Sequence, residues 1–376
     1  MALGPRDTTS LVMLSGWDAT ELRKYELQDG TSFASVVSTL NGALTAVSGE
    51  LYNDPIWSAL VSYTDQPDLE YRVGTSNGME LFTEYGRPDP KRADTQGHML
   101  PLKAFDRALG WTWDYLRKAR MMQIEADIQD AVKDVRDKYR VELLTRLLKR
   151  GDDSGTANGL GTSGYSPGFA TTAASTDVDF TPPAYGGNTF SSTHEHYVPI
   201  AGGAFTGAVF QDAKAELLEH GHLPPYDFMI SSSDESTVRG LTASGFVPTA
   251  QNLVTYGSTQ DLASFGPTYL MNGAYAIGTI YDFRVWVVPG VPQYYGFGWK
   301  SYGANSQRNP LRIRVQKGAP ARPTIQAFPD PRSGAGAVYP LQYMMFFTEF
   351  GVGVADRTNG TARYVNNAVW ADGTPS

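Results

Sequence analysis

The chain has 376 residues, a formal net charge of −8 and no cysteine. Its length allows one large or two ordinary domains with a hydrophobic core, and the lack of cysteine excludes disulfides, thiol catalysis and cysteine-ligated metals. The excess of 39 acidic over 31 basic residues disfavours general nucleic-acid binding. We find no signal-peptide pattern and no stretch near the ~18 apolar residues of a membrane span, and we therefore predict a soluble protein that is made in a cytoplasm.

Residues 1–66 are mixed in composition and weakly periodic, which predicts an N-terminal arm. Residues 67–111 alternate between apolar and polar side chains and are interrupted by a polar stretch, RPDPKRADTQG, at 87–97. This pattern predicts a long two-stranded loop with a charged tip. Because a lone two-stranded ribbon is marginal in water, we expect the loop to lie on a neighbouring subunit. The charged tip residues proposed for that contact are Arg87, Asp89, Lys91, Arg92 and Asp94.

A helix over residues 112–150 is the strongest local prediction, because this stretch contains neither Gly nor Pro and Gly151 follows as a natural stop. Apolar residues recur at every third or fourth position, at Ile124, Ile128, Ala131, Val135, Tyr139, Leu143 and Leu147. A single apolar stripe on a helix about 55 Å long favours packing along a sheet.

Residues 151–203 are dominated by Gly, Ser, Thr, Ala and Pro, and we predict an irregular excursion there. A compact α/β unit follows from residue 204, with YDFMIS at 226–231 as a buried strand.

Near the C-terminus, FFTEFGVGVADRTNG spans residues 346–360 and is followed by TARYVNN. We predict that the two stretches form a hairpin across Asn359 and Gly360, since Asn-Gly is a frequent hairpin turn. In that hairpin Gly351 and Gly353 would let the strand twist and a neighbour approach closely. Asp356 and Arg357 would be turn residues at a subunit boundary.

The histidines include two His-x-His pairs, His194/His196 and His220/His222. On a strand, either pair shares a face and could hold a metal, but zinc sites need three or four ligands. We interpret the pairs as solvated loop histidines and predict no metal. The glycine-rich fragments lack the nucleotide-binding patterns, and no serine lies in a nucleophile elbow, so we also predict no cofactor and no catalytic residue. A metal-dependent hydrolase that uses the His-x-His pairs stays as an alternative.

The order of these pieces resembles the major capsid proteins of tailed bacteriophages with the Hong Kong 97-type fold. Two stretches carry the resemblance: YRVG…PDPKRADTQGHMLPLKAFDRALGW running into the helix, and RNPLRIRVQKG followed by FTEFGVGVADRTNGTARYV. The resemblance implies an α+β fold with an N-terminal arm, an extended β-hairpin loop, a spine helix, a peripheral domain and an axial domain. The implied boundaries are 1–66 for the arm, 67–111 for the loop, 112–203 for the peripheral domain with its spine helix at 112–150, 204–335 for the axial domain, and 336–376 for C-terminal strands that return to the peripheral domain.

The resemblance further implies a structural protein without enzymatic activity. Pentamers and hexamers of this chain would form an icosahedral head around the double-stranded DNA genome, with scaffolding, portal and decoration proteins as partners and no membrane. The protein would be located in the virion after assembly in the host cytoplasm. An encapsulin-type compartment shell is the alternative within the same fold.

Overall fold

A computed structural model of the chain describes residues 54–73, 94–112, 118–156, 163–171, 180–248, 273–317, 325–329 and 341–375, together with Tyr115 and isolated positions between 27 and 49. This part of the chain contains a five-stranded sheet, a seven-stranded sheet and two separate two-stranded hairpins. The α-helices whose bounds are described are α1 (Pro55–Leu60), α2 (Met121–Leu148), α3 (Gly207–Glu219) and α4 (Glu235–Arg239). Tyr115 and Lys118 are helical as well.

The strands in chain order are β1 (Val61–Thr64), β2 (Asp68–Val73), β3 (Asp94–Met99), β4 (Lys103–Thr112), β5 (Asp153–Thr156), β6 (Ser163–Ser166), β7 (Tyr197–Pro199), β8 (Tyr226–Ile230), β9 (Val247–Pro248), β10 (Tyr275–Ile280), β11 (Phe283–Val287), β12 (Tyr295–Trp299), β13 (Leu311–Val315), β14 (Ile325–Pro329), β15 (Leu341–Val354) and β16 (Thr361–Tyr364).

The five-stranded sheet is organised by β15, a strand of 14 residues. It pairs antiparallel with β4 along Leu341–Phe350, with β14 along Met344–Thr348 and with β13 along Phe350–Val354. β1 adds to β13 in parallel. The alternating sequence of β13 buries one face, as a period of two requires, through Leu311, Ile313 and Val315.

Residues 54–64, which belong to the predicted arm, form α1 and β1, and Ile56, Trp57, Leu60 and Val61 of this stretch lie in the hydrophobic core beside the sheet. Asp54 caps α1, since its Oδ1 accepts hydrogen bonds from the backbone N–H groups of Ile56 and Trp57 at 2.9 and 3.0 Å. Trp57 and Leu60 are buried in the same hydrophobic cluster as the inward face of β13.

The long helix α2 has 28 residues, or about 42 Å, and contacts β4 and β15. Trp111 Nε1 of β4 donates to Asp127 Oδ2 at 2.8 Å, and Lys103 Nζ lies 3.0 Å from Glu142 Oε2. The buried apolar residues of the helix are Ile124, Ile128, Ala131, Val132, Tyr139, Leu143, Leu144, Leu147 and Leu148. The prediction of a helix that packs along a sheet is confirmed.

The predicted helix start at residue 112 is wrong. Pairing with β15 keeps the chain extended as far as Thr112, whose Oγ1 then accepts a hydrogen bond from Tyr115 N at 3.1 Å. Arg120 is extended again, with φ −98° and ψ 156°, and α2 begins after it. The helix ends at Leu148, before the predicted stop at Gly151.

The seven-stranded sheet has the order β7-β16-β12-β8-β11-β10-β9. The predicted buried strand is confirmed as β8, in which every residue is buried. Helix α3 packs over this sheet through an apolar face that includes Val209, Phe210, Ala213 and Leu217, in one hydrophobic cluster with Phe228 and Phe283 of the sheet.

Strands β2 and β3 pair antiparallel from Asp68 opposite Met99 to Val73 opposite Asp94. They form the described part of the predicted extended loop. The prediction that the loop continues to residue 111 is wrong, because residues 103–111 belong to β4, which pairs with β15 in the five-stranded sheet. The tip residues Arg87, Asp89, Lys91 and Arg92 lie outside the described residues, and Asp94 begins β3.

Candidate functional site

Residues 355–360 connect the two large sheets, and we call them the crossover segment. β15 ends at Val354 in the five-stranded sheet, and β16 begins at Thr361 opposite Gly298 of the seven-stranded sheet. The predicted hairpin across Asn359 and Gly360 is therefore wrong, because its two strands pair in different sheets. The crossover segment instead brings both sheets close to the excursion that precedes β7.

Asp356 and Asn359 satisfy backbone groups around this connection. Asp356 Oδ1 accepts hydrogen bonds from Thr358 N at 3.1 Å and from Thr358 Oγ1 at 2.7 Å. Asn359 is fully buried, and its side chain accepts from Lys300 N and donates to Lys300 O, both at 2.8 Å. Its amide also donates to Arg308 O at 2.8 Å. The side-chain amide of Asn359 thus bonds both backbone groups of Lys300, just after β12, in the way that a neighbouring strand would. It does not form a hairpin turn.

Three glycines lie where the chain approaches itself. A Cβ on Gly351 would clash with Pro101 O, and a Cβ on Gly353 would clash with Leu100 Cδ2. A Cβ on Gly360 would lie 2.5 Å from an aromatic ring carbon. The close approach expected at Gly351 and Gly353 is present, and the approaching atoms belong to the same chain.

Arg357 is buried, with 2% of its surface exposed. Its Nε donates to Gly168 O and its Nη1 donates to Tyr71 OH, both at 3.1 Å. The guanidinium carbon lies 4.2 Å from the centroid of the Phe180 ring, which is a cation–π distance. The prediction that places Arg357 at a subunit boundary is wrong, because the side chain faces the interior. Since Tyr71 belongs to β2, Arg357 anchors the base of the extended hairpin to the crossover segment.

A second polar group, which we call the histidine cluster, consists of His194, His196, Glu219 and His220. The three imidazole Nε2 atoms lie 3.0 Å from one another. Glu219 Oε1 lies 3.2 Å from His194 Nε2 and 3.7 Å from His220 Nε2. His194 and His196 come just before β7, and Glu219 and His220 end α3. The fold therefore brings together two segments that are distant in sequence.

The interpretation of these residues as solvated loop histidines is wrong. His196 is fully buried, and the side chains of His194 and His220 are 20% and 1% exposed. His222 does not join the cluster: its ring nitrogens face Tyr302 OH at 2.8 Å and Thr358 Oγ1 at 3.0 Å. The two His-x-His motifs and Glu219 are the features of the sequence that indicated this cluster. Of the second motif, however, only His220 belongs to it.

Burial lowers the pKa of all three cluster histidines. The pKa of His196 falls well below its usual range, that of His220 falls to about 3, and that of His194 shifts in the same direction. The neighbouring imidazoles add to the effect on His196 and His220. The rings are therefore neutral near pH 7, which is the form that binds metals. A cleft of about 640 Å³ lies beside the cluster and is lined in part by His194, Glu195 and Glu219.

Among the described residues, no helix has the length and apolar character needed to cross a membrane. No protein-family model matches the chain. No curated protein matches it in sequence either.

Solved structures are similar to it. A structure from Mycobacterium phage Patience is 19% identical with a TM-score of 0.63, and the similarity covers 92% of each chain. The capsid structure of the cyanophage P-SCSP1u is 9% identical with a TM-score of 0.48, covering 84% of this chain and 89% of the other. The holo-SrpI encapsulin complex of Synechococcus elongatus PCC 7942 is 11% identical with a TM-score of 0.44, covering 83% and 87%. The first similarity, which covers 92% of each chain, carries the conclusion that this chain has a tailed-phage major capsid protein fold.

Proposed function

We propose that this chain is the major capsid protein of a tailed bacteriophage, a structural protein without enzymatic activity. Pentamers and hexamers of the chain form an icosahedral head around double-stranded DNA. The observation that carries the proposal is the similarity of fold over 92% of the chain to the structure from Mycobacterium phage Patience. The net charge of −8 supports it, because an acidic wall does not hold tightly to DNA that is packed and ejected.

The two sheets correspond to the two domains of such a subunit. The five-stranded sheet with α2 is the proposed peripheral domain, and the seven-stranded sheet with α3 and α4 is the proposed axial domain. This division follows strand pairing and departs from the predicted boundaries. β1 of the predicted arm and β4 of the predicted loop join the peripheral domain, and β7, which lies within 112–203, joins the axial domain. β13 and β14 join the peripheral domain although they lie within 204–335, and β16 joins the axial domain although it lies within 336–376.

The extended hairpin is the proposed contact with an adjacent subunit. Among the described residues, β2 and β3 form a sheet of two strands, and a two-stranded ribbon of this kind is marginal without support. Its base is fixed, because Tyr71 OH accepts a hydrogen bond from the buried Arg357. The charged residues of both signs at the tip suit ion pairs with a neighbour: Arg87, Asp89, Lys91, Arg92 and Asp94.

Removal of residues 87–93 tests the role of the tip, because the deletion leaves β2 and β3 complete. We expect the free energy of unfolding of the unassembled subunit to change by less than about 0.5 kcal/mol, as for other surface changes. We expect the yield of assembled particles, measured by sedimentation, to fall by about tenfold or more, which corresponds to ~1.4 kcal/mol of contact energy. Replacement of Arg87, Lys91 and Arg92 by Ser gives a milder variant of the same length. Normal particles from the deletion variant would contradict the proposed contact.

Expression of the chain, size-exclusion chromatography and negative-stain electron microscopy test the function itself. We expect closed shells, or capsomer rings that close when the scaffolding protein is supplied. DNA inside particles from infected cells supports the phage head, whereas an enzyme cargo would identify an encapsulin-type compartment. A stable monomer that hydrolyses a substrate in a metal-dependent manner would overturn both. The portal and decoration proteins are further proposed partners, and the proposed location is the virion after assembly in the host cytoplasm.

A further inference from the structure

We propose that the histidine cluster binds one structural Zn²⁺ ion through the Nε2 atoms of His194, His196 and His220 and through Glu219 Oε1. Three imidazoles and one carboxylate form a donor set that suits zinc. The site does not depend on the proposed function, because its residues lie within one subunit. The proposal rests on distances, on the distribution of protons among the rings and on the position of the fourth ligand.

The distances fit a zinc ion. An ion at the usual Zn–N distance of ~2.0–2.1 Å from three nitrogens spaced 3.0 Å apart lies about 1.1 Å above their plane. An ideal tetrahedral site has an N···N spacing of about 3.3 Å, so a shift of a few tenths of an ångström completes the geometry. All four donor atoms lie within 4.8 Å of one another.

The three Nε2 atoms form a triangle with sides of 3.0 Å, and no placement of one proton on each neutral ring turns all three sides into hydrogen bonds. His196 Nδ1 lies 2.7 Å from Gly360 O, and because a carbonyl only accepts, the proton of this ring sits on Nδ1 and Nε2 carries a lone pair. If His194 and His220 both donate to that lone pair, their own contact places two N–H groups head to head. If one of them donates to the other, two lone pairs face each other at 3.0 Å. A cation above the triangle satisfies all three nitrogens at once.

The surroundings supply the fourth ligand and orient a ring. Glu219 Oε1 is buried, and none of the described residues donates a hydrogen bond to it. Its carboxylate oxygen therefore remains available for a metal on the side of His194 and His220. The bond from His196 to Gly360 O is the support that metal-bound histidines usually have, and it fixes both the tautomer and the ring orientation.

Four protein ligands leave no open position for a substrate, which makes this site structural and not hydrolytic. The ion would join the excursion before β7 to the C-terminal end of α3, since His196 and His220 are 24 residues apart in sequence. It would also hold Gly360 of the crossover segment through His196. In a chain without cysteine, such a link fixes an irregular segment that no disulfide can fix.

Zinc analysis of the untagged protein tests the proposal, since an affinity tag of histidines would itself bind metal. The protein is expressed with Zn²⁺ in the medium, dialysed against metal-free buffer and analysed by plasma mass spectrometry. We expect one zinc per chain, a Tm that falls by several degrees with 1,10-phenanthroline, and recovery when Zn²⁺ is restored. Replacement of zinc by Co²⁺ is expected to give the intense visible absorption of a tetrahedral site. The zinc content can be measured on unassembled subunits, capsomers or particles, because all four ligands belong to one subunit. A failure of the chain to assemble would therefore not affect this test.

Two variants locate the ion. His194→Ala removes a partly exposed ligand, and Glu219→Gln removes the charge at nearly constant size. Each is expected to weaken zinc binding by about tenfold or more. His222→Asn is the matched control, because this histidine belongs to the second His-x-His motif but lies outside the cluster, and it is expected to keep the zinc. Wild-type protein without stoichiometric zinc and with a chelator-independent Tm would overturn the proposal, as would zinc retained at wild-type affinity in both ligand variants.

Discussion

Two buried polar groups lie at the crossover segment, Arg357 within it and the histidine cluster in contact with it, and they differ in how the chain satisfies them. Arg357 donates to Gly168 O and Tyr71 OH and packs on the Phe180 ring. In the histidine cluster, the three Nε2 atoms face one another at 3.0 Å, and the proton on His196 points away to Gly360 O. The chain therefore supplies acceptors and an aromatic ring for the arginine, whereas no distribution of protons among the three described imidazoles satisfies all of their Nε2···Nε2 contacts.

This difference indicates that Arg357 has a structural role and that the histidine cluster binds a ligand. A buried charge is costly unless hydrogen bonds compensate for it, so the partners of Arg357 mark it as part of the fold. Convergent lone pairs without donors are costly for the same reason, and a cation is the simplest compensation. Both groups involve the six residues that connect the two sheets. The unfolding free energies of their variants can therefore be compared directly.

Arg357→Met is expected to have the largest effect. The variant keeps a long apolar side chain beside Phe180 but leaves Gly168 O and Tyr71 OH without their donor. We expect the free energy of unfolding of the unassembled subunit to fall by about 3 kcal/mol in urea titrations, with or without chelator.

Arg357→Lys is the matched control for this variant. An ammonium group keeps the charge but cannot reach both acceptors and stack as the planar guanidinium does, so we expect roughly half the loss. An unfolding free energy within about 0.5 kcal/mol of wild type for Arg357→Met would show that the residue lies at a surface, as the sequence first indicated.

Much of the fold could be predicted from local patterns, and the crossover shows where such patterns fail. The periodic stripe of α2 and the alternation of β13 report burial directly, because each depends only on neighbouring residues. Asn359 and Gly360 gave a hairpin prediction from the same kind of local signal. The actual partners of β15 and β16 are β4, β13 and β14 on one side and β12 and β7 on the other. Pairing over such sequence separations leaves no mark in a local stretch.

The candidate site was predicted less well, for a related reason. The His-x-His spacing gives a shared face only on a regular strand, and none of these four histidines lies on one. His220 is the C-cap residue of α3, and the turn that follows directs His222 towards Tyr302. Sequence supplied the ligand types, but only the packing of α3 against β16 shows which of them meet.

Another buried histidine, His98, lies close enough to Arg357 for that charge to affect its pKa, and it allows the surroundings of Arg357 to be tested through pH. Burial is the main cause that lowers its pKa to about 3, and the charges of Arg357 and Arg146 add to it, while the Val354 backbone and Asp152 act in the opposite direction. The unfolded chain has a histidine pKa of ~6.5 and binds a proton as the pH falls, whereas the folded chain does not. His98 therefore contributes its full stability above ~6.5 and loses it progressively towards pH 3.

We expect wild-type protein to lose about 2 kcal/mol more than His98→Gln between pH 6 and pH 4.5. Urea unfolding of both proteins at the two pH values measures this difference, and chelator in every sample removes any contribution of a metal. Equal losses in the two proteins would mean that His98 takes up its proton in the folded state, and that the Arg357 side of the crossover is open to water.

His194→Ala in the presence of chelator is expected to have the smallest effect. Without a metal, the substitution removes one of three nitrogens whose mutual contacts cannot all be satisfied, and the side chain is already 20% exposed. We therefore expect the unfolding free energy to change by less than about 1 kcal/mol. At a zinc concentration about 100-fold above the wild-type Kd, the wild type gains ~2.7 kcal/mol, whereas a variant that binds tenfold or more weakly gains about 1.4 kcal/mol or less, so the difference between the two proteins grows with the metal. Arg357→Met provides the reference, since its loss is independent of zinc. A loss for His194→Ala in chelator as large as that of Arg357→Met would mean that the cluster is a self-satisfied network like the arginine, and the distinction between the two groups would fail.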